Sequence, residues 1–542
     1  MASGRTANPP AGSTPASSDP GRQYGRGRIP VPAAVLGRKG ARVLDPAKAG
    51  TFREKPLLPT AYIANELLVQ GGSTTAMDAL VDAARSTNHT IRTRSPEPDA
   101  YVERLGDAAL GELAARMWVR RMRIRPNPDK GTPADAWEVL QRWRSNVGED
   151  PQEYTVGLNH LVHLTAPLFD GPSLEGSPLF DGPGLEGSPL FDGPAYFEGN
   201  PLFDGPGESS GALRGRAPLA FLGMPPAPTP GEATTRRPVV AVLDTGLGLH
   251  PWLTEPWVTV GATVNGQPIG LGPDDPNPEL TGVVNDPLGG GLDKDSGHGT
   301  FIAGIIRQVC PDAQVLAIRV MPSDGVVDEL QLTIALNKLL VRQAQAQLKP
   351  GPEDIIDVMS LSLGYYHESP EDVLYTSALA RTLQQFGRLG VTVVASAGND
   401  STTNPMFPAG LAPAGGSGAK RNEVPLVSVG ALNPNGTVAL FSNDGDWVSC
   451  HRPGSAVVST FPTTFDGALE PRRRTAAGED IDPDDFRSGF GLWSGTSFSA
   501  PYLAGQLAGR MLAGGTLDKI DARSAVTRGW AAVRAEVGWK RP

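Results

Sequence analysis

The 542-residue chain has two cysteines, Cys310 and Cys450. A single pair cannot make a disulfide framework, and the spacing offers no cysteine metal site, so the residues read as buried thiols of a reducing compartment. Long apolar runs are missing too: none reaches the roughly 20 residues needed to span a bilayer, which argues against a membrane partner. The opening stretch MASGRTANPPAGSTPASSDP is polar and has no apolar core of a secretory signal. The expectation from it is a cytoplasmic protein, with non-classical export left open. Positive charge is in short supply, with 48 Lys and Arg against 58 Asp and Glu and a net charge of −10. That balance argues against nucleic acid as the main partner.

The remaining composition, 39% hydrophobic and 20% charged, is that of a globular protein, and the length suggests two domains with tails. Residues 1–56 carry ten Lys and Arg against three Asp and Glu and are rich in Pro and Gly, which reads as a disordered basic tail. Residues 57–165 alternate between patterns. Strands are expected at Tyr62 to Val69, after His89 and near Tyr101, helices at Ala76 to Ser86, Ala108 to Met122 and Pro133 to Ser145, and a closing strand at Tyr154 to Leu164. A small α/β domain fits this alternation. Residues 166–216 form a Pro/Gly-rich linker in which PLFDGP recurs at Pro167, Pro178, Pro189 and Pro201. Such a segment behaves as an extended tether, and one LFDG unit is a candidate occupant of a peptide-binding cleft.

Residues 217–532 make the main domain, followed by a 533–542 tail. Apolar strands are expected at Val239 to Leu243, Val315 to Val320, Ile355 to Leu361, Val391 to Ser396 and Leu426 to Val429. Helices are expected at Gly299 to Arg307, Asp328 to Leu348, Pro370 to Phe386 and Ser497 to Met511, with another after Asp521. The alternation predicts a doubly wound, mostly parallel sheet with helices on both faces. Ligands bind such sheets beyond the carboxyl ends of the strands.

Chemistry enters at GTSFSAP, Gly495 to Pro501, which puts the Ser497 hydroxyl at a helix N-terminus, where a main-chain N–H and the helix dipole favour a developing oxyanion. A serine needs a base, and the base needs an orienting group. PVVAVLDTG ends a buried strand on Asp244, and DSGHGTFIAGII begins an apolar helix at His298. The order Asp, His, Ser is one of three chain orders in which this triad chemistry occurs. Together D-T-G, G-H-G-T and G-T-S-F-S-A-P resemble the subtilisin-type serine proteases, the subtilases of peptidase family S8.

The resemblance implies a subtilisin-like fold and a serine endopeptidase acting on protein or peptide substrates, with Asp244, His298 and Ser497 catalytic. GVTVVASAGND resembles the segment that supplies an oxyanion donor and points to Asn399. MSLSLG resembles the strand that pairs with an extended substrate, implying Ser362, Leu363 and Gly364 as substrate-binding residues. Tyr365 departs from the second glycine common there. By position, residues 57–165 resemble a propeptide, which implies the chain's own N-terminal domain as an intramolecular inhibitor; an unrelated accessory domain is the alternative. A dedicated intracellular processing protease is a narrower form of this reading. A catalytically silent peptide-binding scaffold on the same fold is the reading from another class. No cofactor is required for the chemistry. Structural calcium is common in the family, and Asp274, Asp275 and Asn277 offer oxygen ligands, although no complete ligand set follows from spacing. His250, in a His-Pro pair, reads as structural. The charged insertion between Phe461 and Gly489 reads as a solvated loop or as a rim of the cleft.

Overall fold

The computed structural model describes residues 31–49, 51–52, 55–71, 74–93, 107–127, 133–147, 155–165, 216–229, 236–348, 354–373, 377–471 and 473–542. The main domain is built on a seven-stranded sheet in the order Val258–Thr259, Gln314–Arg319, Val239–Asp244, Val358–Leu361, Thr392–Ser396, Val427–Leu432, Cys450–Pro453. All neighbours run parallel. Strands such as VVAVLD, VMSL and TVVAS are buried along their whole length, as a sheet covered on both faces requires.

Alternation along each strand divides the core. Val240, Val242, Val358 and Val394 join the cluster of the helices His298–Val309, Thr496–Ala513 and Ala522–Val537. Val239, Ala241, Leu243, Met359 and Val393 join that of Glu329–Leu348 and Ala378–Arg388. This is the doubly wound architecture expected from the sequence. Val239–Asp244 lies between Gln314–Arg319 and Val358–Leu361, so the winding reverses beside it. A crevice opens at such a switch point, and Asp244 ends the strand there.

The N-terminal domain pairs His89–Thr93, Val119–Pro126, Ala61–Gln70 and Thr155–Leu164 antiparallel, with Thr74–Ser86 and Ala136–Val147 contributing to its core. The strand Thr155–Leu164 then pairs antiparallel with Val326–Asp328 and Leu363–Tyr366 of the main domain, so one sheet runs through both domains.

Three sequence expectations need correction. The helix expected to reach Met122 ends at Met117, and Val119–Pro126 is a strand. Val119, Met122 and Ile124 are buried there, while Arg121 and Arg123 pair with the Glu66 carboxylate at 3.6 and 3.0 Å. The basic tail is folded in part: Ala33–Lys39 is helical, Ala41–Val43 pairs with Ala61–Gln70, and Val31, Val35 and Leu44 are buried against the domain. At the other end the last helix runs to Val537 and Trp539 is buried, so 533–542 is not a free tail. The strand near Tyr101 and the PLFDGP repeats lie outside the described residues.

At the amino end of the sheet, Asp357 is fully buried between the guanidinium groups of Arg236, at 2.6 Å, and Arg528, at 3.2 Å, and accepts the Val239 N–H at 3.0 Å. Removing the carboxylate leaves two nearly buried cations without it, a loss of about 3–5 kcal/mol. Asp357→Ala is therefore expected to lower the melting temperature by on the order of 10 °C, and an unchanged melt contradicts this assignment.

Candidate active site

Asp244 is set by its strand. Its Oδ1 accepts the Thr245 N–H at 2.8 Å and the Thr245 hydroxyl at 3.1 Å, which ties the carboxylate to the next residue. His298 is the first residue of its helix, preceded by Gly297 at φ 87°. A side chain on Gly297 meets the Phe461 ring at 2.8 Å, so both the turn and the packing call for glycine. The imidazole lies between Trp493 and Phe498, each with its ring centroid 5.5 Å away, and its Nδ1 is 2.7 Å from Asp244 Oδ1. Burial pulls the imidazole pKa down, but the Asp244 charge and hydrogen bond outweigh it, so His298 stands above the ordinary histidine value.

Ser497 is in the first turn of Thr496–Ala513 and is fully buried. Its Oγ is 2.7 Å from the hydroxyl of Thr165, the residue that follows the strand Thr155–Leu164. His298 Nε2 has no hydrogen-bond partner among the described residues. The structure thus joins Asp244 to His298 and brings Phe498, next to Ser497, against the same ring, while the serine hydroxyl faces Thr165.

Thr165 is held on both its main-chain and its side-chain groups. Its N–H donates to Ser362 O at 3.0 Å, and its hydroxyl is 2.5 Å from Ser396 Oγ. Its carbonyl accepts from Asn399 Nδ2. Asn399 is oriented by Thr496, whose N–H and hydroxyl both donate to Asn399 Oδ1 at 2.9 Å. Upstream, Leu164 is in register with Leu363 and His163 with Gly364. A Cβ on Gly364 would lie 2.6 Å from Phe407 O, so this position calls for glycine. All of Ser362, Leu363, Gly364 and Asn399, picked out in the sequence, therefore meet one extended segment.

The family description matching residues 235–519 is that of the subtilases, peptidase family S8. The chain belongs to the subtilase family. The match to the subtilase-type proteinase psp3 of Schizosaccharomyces pombe is 26% identical over 286 residues, 52% of this chain and 47% of that relative, so the chain spans about half of its length. Thermitase of Thermoactinomyces vulgaris is 28% identical over 42% of this chain and 68% of its own. Subtilisin BL of Lederbergia lenta is 27% identical over 50% and 74%. Among solved structures, fervidolysin from Fervidobacterium pennivorans aligns with 85% of this chain and 55% of its own at 18% identity and a TM-score of 0.42.

Other residues of this subtilase were not singled out from the sequence. Glu279 is fully buried and ties the Asp244 turn to the His298 helix. One oxygen accepts the Thr245 hydroxyl at 2.5 Å and the Gly297 N–H at 3.0 Å, and the other accepts the Thr300 hydroxyl. Thr165 and Thr496 were missed as well: Thr165 belongs to no motif, and Thr496 lies within GTSFSAP but nothing in the sequence marks its contact with Asn399. His250 is structural, as expected: its Nδ1 accepts the Trp252 N–H at 3.0 Å and its ring meets Phe490 edge-on. Cys310 and Cys450 are free. Asn277 caps a short helix and Asp275 accepts the Gly272 N–H, so both side chains have local partners. In the 461–489 insertion, Phe461, Phe465 and Phe486 are core residues, while Arg474 and Glu479 pair at the exposed surface. No helix among the described residues is long and apolar enough to cross a membrane.

Burial pushes the Glu279 carboxyl up to about 7, against the lowering by the Thr245 and Thr300 hydroxyls. An acid whose folded value exceeds its unfolded one contributes stability that is complete below the unfolded value and lost as pH rises through the folded one, here from about 4.5 to 7 and on the order of 3 kcal/mol. Glu279→Gln removes this dependence. Its melting temperature is expected to gain several degrees relative to the parent between pH 5 and 8, and a constant difference contradicts the buried-acid assignment.

Proposed function

We propose that this chain is a serine endopeptidase acting on protein or peptide substrates through Asp244, His298 and Ser497, with its own N-terminal domain as an intramolecular inhibitor. The observation that carries the reading is the pose of Thr165: N–H on Ser362, carbonyl on Asn399, hydroxyl against Ser497. That is how an acyl-transfer site needs to hold the carbonyl it attacks.

In this mechanism the Ser497 hydroxyl turns from Thr165 to His298 Nε2, gives up its proton there, and its oxygen adds to the carbonyl carbon. Asp244 holds the Nδ1–H tautomer and supports the imidazolium. Asn399 Nδ2 and the Ser497 N–H take the charge on the carbonyl oxygen. The C–N bond breaks as His298 returns the proton to the leaving amine, and water hydrolyses the resulting ester by the same relay. With Thr165 in the substrate position, the first bond presented is the one to Ala166, between the N-terminal domain and the repeats.

Incubation of the full chain is expected to release a fragment that begins at Ala166, found by N-terminal sequencing, and the Ser497→Ala chain is expected to yield none. The same fragment from Ser497→Ala contradicts the assignment. Towards added peptides, His298→Ala lowers turnover by several orders of magnitude, and Asn399→Ala by roughly 10²–10³-fold. Neutral His298 is the active form and its pKa is raised, so activity is lost as pH falls through a value above the ordinary 6.5. A pH-rate profile flat from 6 to 9 contradicts this.

A further inference from the structure

Tyr365 stands where the subtilase pattern commonly has glycine, and its ring has another employment. It stacks on the imidazole of His160, with centroids 4.6 Å apart, and its hydroxyl donates to Ser377 Oγ at 3.1 Å. His160 lies on Thr155–Leu164, five residues before Thr165. Its Nδ1 is 2.7 Å from Glu329 Oε2 and its Nε2 is 2.9 Å from Glu368 Oε2. All three side chains are buried. A neutral imidazole has one N–H and cannot donate to carboxylates on both sides, so this arrangement calls for the imidazolium.

The charges close across the domain boundary. Arg144, from the N-terminal domain, donates to the other oxygen of Glu368 at 2.9 Å, and the second oxygen of Glu329 accepts the Ser377 hydroxyl at 2.8 Å. Two cations of the N-terminal domain thus face two carboxylates of the main domain. His367 is a further titratable ring here, with its centroid 5.0 Å from that of His160. Burial pushes its pKa down to about 3, its Nδ1 accepts the Ser369 N–H, and it is neutral. Tyr62, opposite His160 on the neighbouring strand, has its pKa pushed far up by burial and by Asp135, and is also neutral. Donor atoms of His160, His367 and Glu368 lie within 4.8 Å of one another, yet the two side-chain cations already balance the carboxylates, which leaves no charge for a divalent ion to offset.

We infer that Glu329, Tyr365 and Glu368 form a recognition slot for a cationic ring carried five residues upstream of the residue lying against Ser497; its occupant is the imidazolium of His160. The position of the slot rests on the reading that Thr165 occupies the substrate position. Its charge chemistry does not depend on turnover. Burial pulls the His160 pKa down, and the hydrogen bonds and charges of Glu329 and Glu368 overcome this and carry it to about 9. The contribution of His160 to docking is therefore complete below the free histidine value of 6.5 and lost as pH rises through about 9.

The test uses the full chain carrying Ser497→Ala, so that cleavage plays no part, and reads amide hydrogen exchange. His160→Gln leaves two carboxylates against Arg144 alone. Exchange in 155–165, 326–328 and 363–366 is expected to rise at least tenfold, with 496–513 unchanged. Adding Glu329→Gln restores one carboxylate to one guanidinium and is expected to bring exchange back to within about threefold of the parent. Exchange in His160→Gln equal to the parent, or no recovery in the double variant, overturns the inference in favour of ring packing alone. Should His160→Gln fail to fold, the Ser497→Ala chain itself decides. Protection of 155–165, corrected for the intrinsic rate, is expected to fall between pH 8 and 10 while that of 496–513 holds, and parallel behaviour of the two segments overturns the slot. Failure of the protease reading shows instead as an absence of the Ala166 fragment from the active chain, which leaves these readouts untouched.

Discussion

The arrangement hangs on the antiparallel pairing of a few residues, 163–165, with Ser362 and the strand Leu363–Tyr366. Main-chain hydrogen bonds of this kind read no side chain, yet they fix depth and direction to a fraction of an ångström. Once Thr165 N–H is on Ser362 O, its carbonyl meets the Asn399 amide, which Thr496 has already turned to present Nδ2. The same residue's hydroxyl engages Ser497, so one threonine both presents a carbonyl and occupies the serine hydroxyl that the proposed reaction needs. In this account, substrate-like binding and inhibition are two aspects of one pose.

The strand that makes this pairing is also the strand of the N-terminal domain next to the main domain, and it carries its polar cargo into a buried boundary. Burying ionised groups is unfavourable unless they are paired and hydrogen-bonded. Here His160 and Arg144 meet Glu329 and Glu368, and Asn159 donates to Glu66 and accepts the Leu330 N–H at 3.1 Å. The boundary is therefore specific and conditional at once. Removing the N-terminal domain leaves Glu329 and Glu368 to water, so the docked and separated states differ in solvation as well as in contacts.

What the sequence disclosed follows from how local the signals are. Asp244, His298, Asn399 and Ser497 each sit where a strand ends or a helix begins, and short apolar runs beside Gly, Thr and Ser mark such points. The parallel sheet was legible for the same reason. Glu279 was not, because its partners Thr245, Gly297 and Thr300 are brought to it by the fold and its own surroundings read as an ordinary loop. Residues 119–122, expected as the end of a helix, open the strand Val119–Pro126 instead: its arginines hide a period of two, and the distant Glu66 decides their direction. The folded part of the basic tail was equally hidden: Val31 and Val35 bury in a cluster with Ala61, Ile63, Leu161 and Val326, farther along the chain.

The central claim is that Ser497 is a nucleophile activated by His298 once its hydroxyl is released from Thr165. Labelling with a fluorophosphonate, mapped by mass spectrometry on chain that has been cut after Thr165 and on intact chain, tests it most directly. The account predicts an adduct on Ser497 in the cut chain and little or none in the intact chain. An adduct on a different serine, or a cut chain that stays unlabelled, would contradict it.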